Sequence, residues 1–424
     1  MKEGVLLFEF LGYGGQKSDP QLTKLADEAR NTAYADRFLL RRDATAEQQA
    51  KAIDSFYKDP LSANFDLQKK SLIDLVHART DKDKQVLFHK YMTEFEAKPI
   101  EQSEKARTYG QLNVLLGSEF GVISDEQRVG TALDFLFHAA EGHIDKGRHL
   151  TCAPTVQEQR TIARQPSLAA EMITSAAISG EWIARDGKTI KLDQDSLRAG
   201  PEERNYPPVD GWRSQASQIF QVVAINDFGQ HRRMPLSFIQ KEQSSWPLLR
   251  NMMAFAGYRG EYWRLADGRE VDFGGLGPEA VAEENQRLLG DSKVVLYNAG
   301  SPESNTSDHF QPSYDPDRNP PKVIKTFQRA GVDVFDRIDG NAGLESKLAD
   351  LSNNKKFPVM IGVDESNHEL PGYSSWFSDL NLGSHHVVTL TEYDAEHKRV
   401  YVQNSDGSEY NGWISTQDLY NGSL

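Results

Sequence analysis

Residues 383–413 read GSHHVVTLTEYDAEHKRVYVQNSDGSEYNGW. Within them HHVVTLTEYD (385–394) and RVYVQNSDG (399–407) carry alternating apolar residues, separated by a short polar turn. That pattern predicts an antiparallel strand pair close to the C-terminus. Pairing of this kind brings the polar end of the second strand, Asn404, Ser405 and Asp406, alongside the histidines that open the first, His385 and His386. A histidine at the start of an apolar strand is held rigidly, with its ring available to a cleft. An amide or carboxylate that accepts from one ring nitrogen fixes the tautomer and leaves the other nitrogen to act as a base. A metal site on the histidine pair is the competing reading. Zinc wants two further ligands at recognisable spacing, and none is apparent, so neither a metal nor a cofactor is expected.

A base needs a nucleophile. The chain holds one cysteine in 424 residues, Cys152, within KGRHLTCAPTVQEQRTIARQ (146–165). Pro154 is tolerated only in a first helical turn, and the residues behind it are helix-competent, so Cys152 is expected at a helix N-terminus. The partial positive charge and N–H groups there favour a thiolate over a thiol. The competing reading is a cysteine packed as a small hydrophobe. A single cysteine also rules out an internal disulfide.

The string His386-Val-Val-Thr-Leu-Thr-Glu-Tyr393-Asp394 followed by VYVQNSDG resembles the C-terminal half of papain-like cysteine peptidases. There a histidine begins a strand, and the next strand delivers an asparagine, or an aspartate in one branch. FPVMIGV (357–363) and SSWFSDLNLGS (374–384) are similar to the strand and glycine-bearing loop that precede that histidine. The chain order of cysteine, histidine and asparagine also agrees. The resemblance is concentrated in residues 355–415. It implies Cys152 as nucleophile, His386 as general base and acid, and Asn404 as the residue orienting it, with Asp406 in reserve and His385 as the second candidate base. Around the thiol the sequence is TCAPT, and Lys146 stands where the family carries an oxyanion-hole glutamine. The backbone N–H of Cys152 is one expected oxyanion donor, and His149 is a candidate for another.

The implied fold class is α+β, a papain-like fold with the cysteine-bearing helix packed on a mostly antiparallel β-sheet. Residues 20–115 read as helical throughout, so the chain divides into a helical N-terminal domain (1–115), propeptide-like, regulatory or scaffold, and a peptidase domain with insertions (116–424). In the first, His77 and His89 read as surface or packing residues. Ser124 with Gln127 predicts a capped helix stopped by Gly142, and the helix at Cys152 is expected to run to about Gly180. Hairpins are predicted around Asp186–Gly187 and Asp267–Gly268, and buried strands at SQIFQVVAIND (217–227), KVVLYNA (293–299) and FPVMIGV. A Pro-, Ser- and Asp-rich loop covers 301–321.

A net charge of −14 argues against a nucleic-acid partner. No apolar run approaches the roughly 18–20 residues that span a bilayer, and the acidic residues in MKEGVLLFEFLGYGG argue against a signal peptide, so a soluble protein is expected, cytoplasmic or delivered as an effector. The expected partner is a protein or peptide substrate. Trp212, Trp263 and Trp376, with Arg204 and Arg213, are candidate cleft residues. The same three groups would also serve a deamidase, transglutaminase or acyltransferase, and a papain-like binding module without activity is the remaining alternative.

Overall fold

The computed structural model describes residues 64–118, 121–232, 235–241, 260–276, 278–291, 294–298, 335–364, 370–371 and 385–423. The stretches 301–321 and SSWFSDLNLGS, Trp376, and the part of the expected helical region before residue 64 lie outside them.

Four helices come first: α1 (Phe65–His77), α2 (Lys82–Ala97), α3 (Gln102–Gly117) and α4 (Asp125–Glu141). The Ser124–Gln127 capping box opens α4, and Gly142 at φ 74° closes it, as the sequence predicts. His77 and His89 sit at the surface and bond to each other at 2.8 Å. Next come α5 (Cys152–Arg164) and α6 (Pro166–Ser179). The expected single helix is two, because Pro166 cannot continue α5 and Gln165 takes a non-helical conformation before it. The first hairpin, β1 (Glu181–Ile183) and β2 (Thr189–Lys191), is followed by α7 (Gln215–Gln230). Three antiparallel strands come next, β3 (Ser237–Gln240), β4 (Glu261–Arg264) and β5 (Glu270–Asp272), then α8 (Pro278–Leu289).

The segment 217–227, expected as a buried strand, lies inside α7. Every residue of that helix is buried, so its apolar run carries no periodicity to tell helix from strand. Ser214 decides the matter locally by accepting from Ser217 N as an N-cap.

The main sheet is built from β6 (Val295–Asn298), β7 (Phe335–Ile338), β8 (Val359–Asp364), β9 (His385–Asp394), β10 (Arg399–Gln403) and β11 (Gly412–Ser415), in the order β11-β10-β9-β8-β6-β7. It is a mixed sheet in which three of the five strand pairings are antiparallel and two are parallel. β6 pairs in parallel with both β7 and β8, while β8 to β11 are antiparallel. Helix α9 (Gly340–Asn353) supplies the crossover between β7 and β8 that a parallel arrangement requires, and α10 (Thr416–Asn421) ends the fold.

Two apolar cores result. The larger joins α1–α4 to α6, α7 and the β3–β5 sheet through residues such as Phe95, Leu112, Phe135, Met172, Phe220 and Trp263. The helices of residues 65–117 therefore share a core with residues downstream of the boundary expected at 115/116. The smaller core lies under the main sheet. Helix α5 is the seam: Ala153 and Val156 belong to the sheet core, Ile162 to the helical one.

Candidate active site

The parallel pairing of β6, β7 and β8 puts their carboxyl ends, Asn298, Ile338 and Asp364, at one end of the sheet. Asp364 pairs with His385 and Val363 with His386, so β9 begins at that same end. Open sheets with parallel strands bind ligands beyond those carboxyl ends.

Helix α5 points its N-terminus there. Thr389 Oγ1 donates to Gln159 Oε1, tying the middle of the helix to the strand. Farther along, Arg160 donates to the carbonyls of Lys356 and Pro358, and Arg164 to that of Lys355, all beyond the Val359–Leu390 pair. The helix and β9 therefore run in the same direction. Counting back from Gln159, seven helical residues rise ~10 Å, as do the three strand residues from Thr389 to His386. Cys152 thus reaches the level of His386.

The loop leading into Cys152 follows the same course. Gln403 Nε2 donates to Gly142 O at 2.9 Å, and Lys146 N to Ser405 O at 2.8 Å, so the loop climbs alongside β10 as it leaves the sheet. Cys152 is half-buried, the first residue of α5, with Pro154 in its first turn. Helix α5 looks polar, yet its residues Ala153–Ile162 are all buried. Its polar side chains are held by specific partners: Gln221 donates to Thr155, Gln159 to Ile144 O, and Arg160 to Asn285 and Asp291 at 2.9 and 2.6 Å.

His386 is buried, and its Nε2–H donates to Asn404 Oδ1 at 2.8 Å. An amide oxygen only accepts, so this bond places the proton on Nε2 and the lone pair on Nδ1. Asn404 is fixed in turn, its backbone N–H donating to Asn411 Oδ1 at 2.7 Å. Asp406 Oδ2 lies 3.6 Å from His386 Nε2, and Lys146 Nζ pairs with Asp406 Oδ1 at 2.7 Å. Burial and then the Lys146 ammonium push the His386 imidazole down to about 4, against the opposing pull of Asp406 and Asn404. His386 is therefore a neutral base over most of the pH range.

His149 points elsewhere. Its Nδ1 donates to Glu261 Oε1 at 2.8 Å, and its Nε2 faces Glu203 and Glu202 at 3.4 and 3.8 Å. A ring committed to three carboxylates is a poor oxyanion donor. Arg213, expected near a cleft, is buried and donates to Glu203 at 2.9 Å; Trp263 is core, packed edge-on to Phe238 and Phe273. Arg204 holds the Ala199 carbonyl, and Trp212 is exposed. For His385 the structure gives backbone register only.

A second histidine–hydroxyl pair, His138 Nε2 accepting from Ser214 Oγ at 2.7 Å, is buried, and Ser214 also caps α7, so it is closed to substrate. Sequence reasoning missed the Lys146–Asp406 pair and the carboxylates around His149. Gly147 was the available signal. It adopts φ +61°, and a Cβ there would collide with Glu202 and the backbone of Arg213.

No family model, curated protein or solved structure matches the chain.

Proposed function

We propose that the protein is a thiol-dependent hydrolase of peptide or isopeptide bonds, working in the manner of the papain-like cysteine peptidases. The observation that carries this reading is the His386–Asn404 hydrogen bond, made at the end of the sheet to which α5 presents Cys152. Those three groups form a nucleophile, a base of fixed tautomer and an orienting amide.

In the proposed reaction the Cys152 sulfur attacks the substrate carbonyl while its proton passes to His386 Nδ1. The oxyanion is met by the backbone N–H of Cys152. His386 then protonates the departing amine, and a thioester remains. Water, losing a proton to His386, hydrolyses the thioester and restores the thiol. Deamidation or acyl transfer would use the same steps with ammonia leaving, or an amine in place of water.

The test is alkylation of the full-length protein by iodoacetamide across pH, together with digestion of peptide libraries. Cys152 should react faster at neutral pH than an ordinary thiol of pKa ~8.5, with neutral His386 taking its proton, and His386→Ala should remove that advantage. Reaction at the rate of a free thiol, unaltered by His386→Ala, would overturn the proposal. Product masses separate hydrolysis from deamidation or transfer.

A further inference from the structure

Three residues before Cys152, the loop is anchored by a buried cluster unconnected with His386. His149, Glu202 and Glu203 are each at least nine-tenths buried, and one ligand atom from each lies within 4.8 Å of the other two. Carboxylates alone would say little. The telling atom is His149 Nε2, which is buried and has no hydrogen-bond partner among the described residues. Its sister nitrogen Nδ1 donates to Glu261 Oε1, which is itself held by Gln240 Nε2 at 2.8 Å, while Glu261 Oε2 accepts from Leu150 N. That bond puts the Nε2 lone pair into the space between Glu202 and Glu203. A carboxylate behind a histidine whose far nitrogen faces further carboxylates is the usual support of a metal-binding imidazole.

The spacing fits a small cation better than a protonated ring. Nε2 lies 3.4 Å from Glu203 Oε1 and 3.8 Å from Glu202 Oε2, beyond good hydrogen-bond length. Tetrahedral ligands about 2.0–2.1 Å from zinc are separated by about 3.3 Å. Arg213 on Glu203 and the Arg148 N–H on Glu202 hold the two carboxylates in place, and Gly147 allows Glu202 its close approach.

From this we infer that His149, Glu202 and Glu203 bind one divalent transition-metal cation of the zinc type, with Glu261 orienting His149. Three protein ligands leave one coordination position open, and the ion pins the loop that leads into Cys152 to the segment around Glu202 and, through Glu261, to β4.

The experiment is elemental analysis of untagged full-length protein, followed by chelation, reloading with Zn²⁺ alone, and competition against a chromophoric chelator. About one zinc per chain is expected, with a melting temperature that falls on chelation and recovers with Zn²⁺ but not with Mg²⁺. Glu202→Gln, nearly isosteric, should weaken Zn²⁺ at least ten-fold, as should Glu261→Gln through His149. Should Glu261→Gln fail to fold, Glu202→Gln and the wild-type competition still decide. The assignment is overturned if no metal is retained and Zn²⁺ changes nothing, which would make His149 an imidazolium held by carboxylates. It is equally overturned if Mg²⁺ or Ca²⁺ is held instead, or if Glu202→Gln binds Zn²⁺ as the wild type does. None of these readouts depends on peptidase activity.

Discussion

Two buried histidines flank the loop that leads into Cys152, and their surroundings are opposite. His386 is oriented by a neutral amide, with Lys146 nearby, and is held uncharged. His149 is surrounded by Glu261, Glu203 and Glu202. An amide partner fixes orientation without fixing charge, which suits a group that must gain and lose a proton. A carboxylate cage holds a positive charge in place, which suits an anchor. The same residue type, equally buried, thus has the surroundings that the proposed proton transfer needs in one place and those that the proposed anchor needs in the other.

The sharpest way to break this contrast is to delete each ring in turn. His386→Ala should lower kcat/KM by roughly 10²–10⁴-fold in protein that remains folded. Damage at the cage should show in stability. Glu203→Gln removes the carboxylate that neutralises buried Arg213, and breaking such a pair costs about 3–5 kcal/mol. Urea denaturation measures it. If His386→Ala proves the more destabilising and Glu203→Gln the more damaging to turnover in folded protein, the division of labour is wrong.

Acidification sharpens the comparison further. The folded-state value of His386, about 4, lies below its ordinary 6.5, and the same is true of buried His138. The unfolded chain therefore binds these protons more tightly. Their stabilisation is complete above about pH 6.5 and is lost as pH falls through about 4, on the order of 3 kcal/mol for each ring. Burial alone would raise Glu203, but chiefly the Arg213 guanidinium outweighs it and holds the carboxyl down at about 2, so its contribution persists to lower pH. Denaturation at pH 7 and pH 4.5 should show the histidine loss, and His386→Asn should lack its share.

Smaller effects follow from the groups around His386. Lys146→Met, by removing a neighbouring positive charge, should raise the acidic midpoint of kcat/KM; Asp406→Asn should lower it. Thr389→Val, which deletes the bond to Gln159, should cost about 1 kcal/mol and loosen the alignment of α5 with β9.

The strand pair 385–407 was legible because alternation has one geometric meaning when a single face is buried. The nearness of residues 404–406 to the two histidines could be read from that pairing, whereas Asn404 as the partner of His386 was what the family resemblance implied. Strand register places residue 404 opposite Val388, and the Asn404 side chain reaches His386 from there. Helix α7 was not legible, since a helix buried on every side has no period to display. Helix α5 misled in the opposite sense: Glu158, Gln159 and Arg160 suggest solvent, yet they are buried with partners outside the helix, Gln221, Thr389 and Asn285 among them.

Local rules of the sequence alone determined the helix start at Cys152, the capped α4, both hairpins and the β9–β10 strand pair, each resting on propensity or period over a few residues. Tertiary structure decided the parallel half of the sheet, the direction of α5 along β9, the Lys146–Asp406 pair beside His386 and the carboxylates around His149. These join residues separated by tens to hundreds of positions. Their partners are chosen by packing and by the need to satisfy buried charge, which no short stretch of sequence encodes.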